Sequence, residues 1–245
     1  MSRFHELRKT QVAFFTLLGT ICYTRPSVIT KFFEILRTAG LNIEHSQVGT
    51  SFHKAENWIY SRKNAGWPLT ALETERYKQM FFSSLGVTGE STDYYDQILS
   101  STLEKSRFWT TSLTLSKDVT PLLINLAERE IKCGLIVNSD LQASKILRKL
   151  GIRQYFQEIF SSGSVGVGLP NPKILQSALA SFKIRPSRAL LIGSRPLVEG
   201  EGAKAAHLPY VLVYRKADDM FEQPKESFHG YNTVESYSEL ISYLQ

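Results

Sequence analysis

Gln11-Val12-Ala13-Phe14-Phe15-Thr16-Leu17-Leu18-Gly19-Thr20 is the stretch on which the fold turns. Its apolar run, Val12 to Leu18, is short, holds Val and Phe, and is closed by Gly-Thr. That pattern predicts a buried strand entering a loop. Ahead of it, Met1 to Thr10 is mixed in charge and leaves little room for a signal or transit peptide. Beyond it the rhythm changes. From Ser27 to Trp109 apolar residues recur at helical spacing, as Phe32, Phe33 and Leu36 and again around Tyr77, Met80, Phe81 and Leu85. Breakers at Gly40, Gly66-Trp67-Pro68 and Gly86 divide this stretch into several helices.

The second half alternates. Helices are predicted at Pro121–Arg129, Leu141–Leu150, Pro172–Phe182, Gly200–Ala206 and Ser236–Leu244. Strands are predicted at Leu135–Val137, Glu158–Phe160, Ala189–Ile192 and Tyr210–Tyr214. Strands and helices in alternation with short links imply a parallel sheet with right-handed crossovers. The expected fold class is α/β: a doubly wound, Rossmann-like parallel sheet core with a helical cap inserted after its first strand. The expected division is 1–24 with 112–245 for the core and 25–111 for the cap. In such sheets a site lies beyond the carboxyl ends of the strands. The loops starting at Thr16, Asn138, Leu169 and Ser194 should converge there.

A chain of 245 residues, 42% of them apolar, can bury a core in one large or two modest domains. The net charge of +6 favours acidic partners such as RNA, anionic lipid or an acidic protein face. The basic residues are spread along the chain, however, and no RNA-binding motif turns charge into a specific assignment. Cys22 and Cys133 form neither a disulfide framework nor a CxxC metal site, which fits a reduced, intracellular setting, cytoplasmic or organellar. No apolar run approaches membrane-spanning length.

The order of segments resembles the haloacid dehalogenase (HAD) superfamily, in the subfamily with a helical cap after the first strand. The resemblance rests on Phe14-Phe15-Thr16-Leu17-Leu18-Gly19-Thr20, Val137-Asn138-Ser139-Asp140, Leu169-Pro170-Asn171-Pro172, and Ile192-Gly193-Ser194 through Gly202-Ala203. It implies an HAD-like fold over nearly the whole chain. It also implies where chemistry would sit. A first-strand aspartate attacks phosphorus, a second two residues later works as acid and base, a Ser or Thr and a Lys hold phosphoryl oxygens, and further aspartates bind Mg²⁺. In this chain those positions carry Thr16, Leu18, Val137, Leu169, Ser194 and Glu199. Only Glu199 keeps a carboxylate, and three of the six are apolar.

Such a set is expected to lose the Mg²⁺ site, to need no cofactor, and to leave the mouth of the sheet dry and self-sufficient. The expectation that follows is a catalytically inactive HAD-like protein serving as a structural or protein-interaction subunit. The alternative is residual phosphate-ester binding or weak HAD-type phosphohydrolase activity. Thr16 as a new nucleophile would need an adjacent base, and none of the histidines lies in the motif loops. Ser194 with Ser139 would offer hydroxyls to a phosphate. Trp67, in a Gly- and Pro-flanked loop, is the first candidate anchor for a protein partner, and Lys145, Arg148 and Lys149 share a basic helix face that could meet RNA or another acidic partner. The remaining aromatics of the insertion should mostly form its own core.

Overall fold

The computed structural model describes residues 5–62, 68–139, 142–215 and 219–245. Strand β1 (Val12–Thr16) leads into a short β2 (Cys22–Thr24). Helices α1 (Val28–Thr38), α2 (His45–Tyr60), α3 (Ala71–Ser84), α4 (Glu90–Lys105) and α5 (Phe108–Thr111) follow. Next comes β3 (Leu113–Leu115), which pairs antiparallel with β2, so the chain enters and leaves the helical insertion through one ribbon. After it come α6 (Val119–Glu128), β4 (Lys132–Val137), α7 (Ala143–Lys149), β5 (Phe156–Ser161), α8 (Ser162–Val165) and α9 (Lys173–Ser181). Then follow β6 (Ala189–Gly193), a π-helical turn at Pro196–Gly200 running into α10 (Glu201–Ala205), β7 (Tyr210–Val213), β8 (Thr233–Val234) and α11 (Tyr237–Leu244).

The main sheet has six strands in the order β5-β4-β1-β6-β7-β8, and every neighbouring pair is parallel. All five residues of β1 are buried, as its central place requires. Its side chains alternate between two cores. Ala13 and Phe15 face α6, α7 and α11 through Leu122, Leu126, Leu147 and Leu240. Val12 and Phe14 face α9 and α10 through Ile174, Ala178 and Ala203. Phe14 and Phe15 are wholly buried, and each contributes about 1.5–3 kcal/mol by leaving water. This is the doubly wound α/β sheet with a helical cap that the alternation of segments predicts.

The insertion has its own core, built from Ile29, Leu36, Val48, Phe52, Phe82 and Phe108, and the core's Met220 and Phe221 complete it. Phe221 stacks on Phe52 at 6.3 Å, so the cap is seated on the sheet through rings. Not every aromatic of the insertion stays within that cluster. Tyr60 and Trp58 pack with the core's cluster beneath α9 and α10, and Tyr94 is exposed. The three-glycine stretch after β5 is partly helical: α8 is closed at its amino end by a Ser161–Ser164 capping box. Strands β2, β3 and β8 carry too few residues for an alternation to register. Cys22 and Cys133 are free and buried, and burial pushes each thiol up to about 12. Among the described residues no helix is long and apolar enough to cross a membrane.

Candidate functional site at the mouth of the sheet

β1 has β4 on one side and β6 on the other, and these three strands deliver their following loops to one place. A cavity of about 540 Å³ lies there, between the carboxyl ends of the strands and the cap. Thr16, Leu18, Val137, Asn138, Ser139, Leu169, Arg195 and Glu199 line it from the core. Phe32, Phe52, Glu56, Tyr60, Tyr77 and Trp109 line it from the cap. The convergence of loops predicted from the sequence is therefore present. The apolar replacements Leu18, Val137 and Leu169 wall this space without filling it.

Each motif position has a local reason for its geometry. Thr16, 5% exposed at the end of β1, shares a hydrogen bond of 2.8 Å with the Thr20 hydroxyl. Asn138 clamps the third loop from across the site. Its Nδ2 donates to the Leu169 carbonyl at 2.6 Å, and its Oδ1 accepts from the Leu169 amide at 2.7 Å. Leu169 is buried because α10 approaches it at a glycine. A Cβ on Gly202 would stand 2.5 Å from Leu169 Cδ2. We expect Asn138→Ala to orphan both Leu169 backbone groups and to cost about 1–3 kcal/mol in urea unfolding.

The fourth loop carries the charges. Glu199 sits in the π-helical turn, 4% exposed, and its Oε2 accepts from the Arg195 amide at 2.7 Å. Burial pushes its carboxyl upward, against the Arg195 charge and the backbone N–H groups that favour the ionised form. Gly193 makes room for it, since a Cβ there would lie 2.5 Å from Glu199 Cβ. Arg195 reaches into the cavity and pairs with Glu56 of α2. Its guanidinium lies 4.5 Å from the Phe221 ring centre and 5.2 Å from that of Tyr60. Burial draws its pKa below the ordinary value while the Glu199 and Asp219 charges oppose that, and a guanidinium stays protonated throughout. Arg195 is the one cation among the described lining residues.

Ser194 does not join this cavity. Its buried hydroxyl has no hydrogen-bond partner among the described residues and borders a separate space of about 10 Å³ with Gly19, Asp219 and Gln223. That is room for about one water. The structure thus separates Ser194 from Ser139, which lines the main cavity. Lys145, Arg148 and Lys149 are exposed on α7 and do not line the cavity; Lys149 Nζ donates to the Thr110 carbonyl at 3.1 Å. Trp67 lies outside the described residues.

Inspection of the sequence missed Arg195 and Glu56. Arg195 directly follows Gly193-Ser194, so its place at the loop mouth was available as a signal. Glu56 had none, because its role depends on how the cap closes over the core.

The model of the haloacid dehalogenase-like hydrolase family matches residues 11–207. A glyceraldehyde 3-phosphate phosphatase of Methanopyrus kandleri is 35% identical over 106 residues, 42% of this chain and 45% of that protein. A phosphoserine phosphatase of Thermus thermophilus is 32% identical over 95 residues, 38% of each. The chain thus spans less than half the length of these curated relatives. Among solved structures, a haloacid dehalogenase-like family hydrolase from Streptococcus pneumoniae superposes with a TM-score of 0.64 at 18% identity, over 97% of this chain and 99% of that one.

These relatives correct one expectation. An inactive structural or protein-interaction subunit does not fit a chain whose similar proteins are named phosphatases, and the phosphate-ester alternative accords with them better. The physical reason is that counting lost side chains by motif position overlooked the cavity between core and cap and the cation that a neighbouring residue places in it. With the family model covering most of its length, the chain belongs to the haloacid dehalogenase-like hydrolases.

Proposed function

We propose that this chain binds phosphate esters in the cavity between core and cap, as a weak HAD-type phosphohydrolase. The observation that carries the reading is Arg195, a guanidinium held at the mouth of β1, β4 and β6 in a space large enough for a small ester. A partly dehydrated guanidinium recognises phosphate oxygens by charge-assisted hydrogen bonds. The Asn138 and Ser139 side chains, at the end of β4, border the same space. Glu56 pairs with the guanidinium, so its carboxylate competes with an incoming phosphate for the same charge.

The donors present do not suit Mg²⁺, which demands near-octahedral oxygen ligation. Glu199 is the only carboxylate at the family's metal positions, and it is already engaged by the Arg195 amide. Ser194 opens away from the cavity. Among the described residues no three His, Cys, Asp or Glu side chains gather as a metal site. We therefore read the anion as held by Arg195 without a metal. The Thr16 hydroxyl is bonded to that of Thr20 and, among the described residues, to no base; a hydroxyl without a base is a slow nucleophile. Turnover is accordingly expected to be slow compared with binding.

Isothermal titration with para-nitrophenyl phosphate, in buffer with EDTA and then with Mg²⁺, tests this. The expected result is saturable binding of equal strength in both buffers, with slow release of nitrophenol. An absence of binding in both buffers would sink the reading. Binding that needs Mg²⁺ would sink its metal-free part.

A further inference from the structure

The cavity has two unlike walls. Its floor, from the ends of the strands, mixes the polar Thr16, Asn138, Ser139, Arg195 and Glu199 with the apolar Leu18, Val137 and Leu169, and it holds the one cation of the described lining. Its roof is made of rings: Phe32 from α1, Phe52 and Tyr60 from α2, Tyr77 from α3, Trp109 beside Phe108 on α5, and Phe221 from the core. Phe32, Tyr77 and Trp109 are only half-buried and keep surface to offer a ligand. From the cap side only the Glu56 carboxylate brings charge into the described lining.

The chemistry of such a roof is selective. A small polyhydroxylated ester would meet few partners on this roof, whose hydrogen-bonding groups are the Tyr60 and Tyr77 hydroxyls and the Trp109 indole N–H, and each hydroxyl left unpaired there is penalised. A flat apolar body would instead stack or meet the rings edge-on, and would remove its own surface from water. The volume of about 540 Å³ is in the range of pockets that hold a ring system together with an anionic group.

We propose that the preferred ligand is a phosphate monoester of a flat, apolar alcohol, an aryl phosphate, with its anion on Arg195 and its ring under Trp109, Tyr77 and Phe32. This rests on the phosphate-ester reading and narrows it from any ester to an aromatic one. It also separates this chain from the substrates in the names of its relatives, which are small and polar.

Titration calorimetry with 1-naphthyl phosphate, glycerol 3-phosphate and 1-naphthol tests it. The expected order is 1-naphthyl phosphate tightest, by roughly tenfold or more over glycerol 3-phosphate, as an additional buried ring system warrants. Trp109→Leu, a half-buried position whose change keeps an apolar side chain, should reduce that preference several-fold, on the order of one ring contact. It should lower the affinity for 1-naphthyl phosphate more than that for glycerol 3-phosphate. Equal affinity for the two phosphates overturns the aryl preference and leaves phosphate-ester binding standing. Naphthol binding as tightly as its phosphate overturns the phosphate-ester reading itself, as does failure of all three. A preference unaltered in both Trp109→Leu and Phe32→Leu would place the ring elsewhere and overturn the assignment to the roof.

Discussion

Arg195→Gln is expected to weaken phosphate-ester binding by about a hundredfold, the equivalent of losing a charge-assisted, partly dehydrated contact. Arg195 supplies the only positive charge in the described lining of the cavity. Glutamine keeps hydrogen-bonding capacity but no charge, so the loss reads the charge itself. The same variant leaves Glu56 in a half-buried place without its partner. That should lower the free energy of unfolding by about 1–3 kcal/mol. Two companion variants separate recognition from stability. Glu56→Gln frees the guanidinium from its competitor and should tighten phosphate-ester binding by about tenfold. The double variant Arg195→Gln with Glu56→Gln should regain much of the lost stability and none of the binding. Calorimetric titration alongside urea unfolding of the three proteins reads both quantities. If Arg195→Gln binds esters as the parent does, the assignment of the anion site is wrong.

The second large effect is expected at Thr16→Asp, which places a carboxylate where the resemblance puts one. Thr16 is 5% exposed, its hydroxyl is bonded to that of Thr20, and Leu18 and Val137 border the same cavity. A carboxylate there loses water and gains little, so its pKa should rise above the unfolded value of about 3.9. A folded state that holds its proton more tightly than the unfolded state is favoured at low pH. The stability of Thr16→Asp relative to the parent should therefore be best below about pH 4 and fall as pH rises through the folded-state pKa, reaching a deficit of about 1–3 kcal/mol at neutral pH. Urea titrations of both proteins across that range measure it. A variant as stable as its parent at neutral pH would show that Arg195 or bound water already solvates this position. The aspartate alone should not bring Mg²⁺-dependent turnover, because Leu18 and Leu169 still occupy the positions that the resemblance gives to the acid/base and the phosphate-holding cation.

A corollary concerns the backbone that carries the site. Gly193→Ala would drive a methyl to 2.5 Å from Glu199 Cβ, where the π-helical turn folds back on β6. Overpacking of this kind costs about 1–3 kcal/mol. Because Glu199 and Arg195 share that turn, the variant should lose ester affinity as well as stability, visible in the same paired measurements.

Much of the architecture was determined locally. Val12 to Thr16 is a short apolar run ending in a Gly-Thr turn, and such a run can bury both of its faces only as a central strand. The order of strands and helices after Pro121 then leaves a parallel sheet as the economical arrangement, and helical spacing between Ser27 and Trp109 marks the insertion. These are properties of nearest neighbours and periods, so the one-dimensional chain carries them. The identities Thr16, Leu18, Val137 and Leu169 were equally legible, because each motif position is set by its own flanking residues. The site's character was decided only in three dimensions. Whether apolar residues fill a space or merely line it depends on how far the cap stands from the strand ends. That distance follows from packing such as Phe221 on Phe52, which joins segments remote in sequence. The pairing of Arg195 with Glu56 and the ring-lined roof arise from the same closure, whereas the separation of Ser194 from Ser139 follows from packing within the core, around Gly19, Asp219 and Gln223. An inventory of motif positions recorded which charges were gone, and only the folded chain brought in the one that a neighbouring residue supplies.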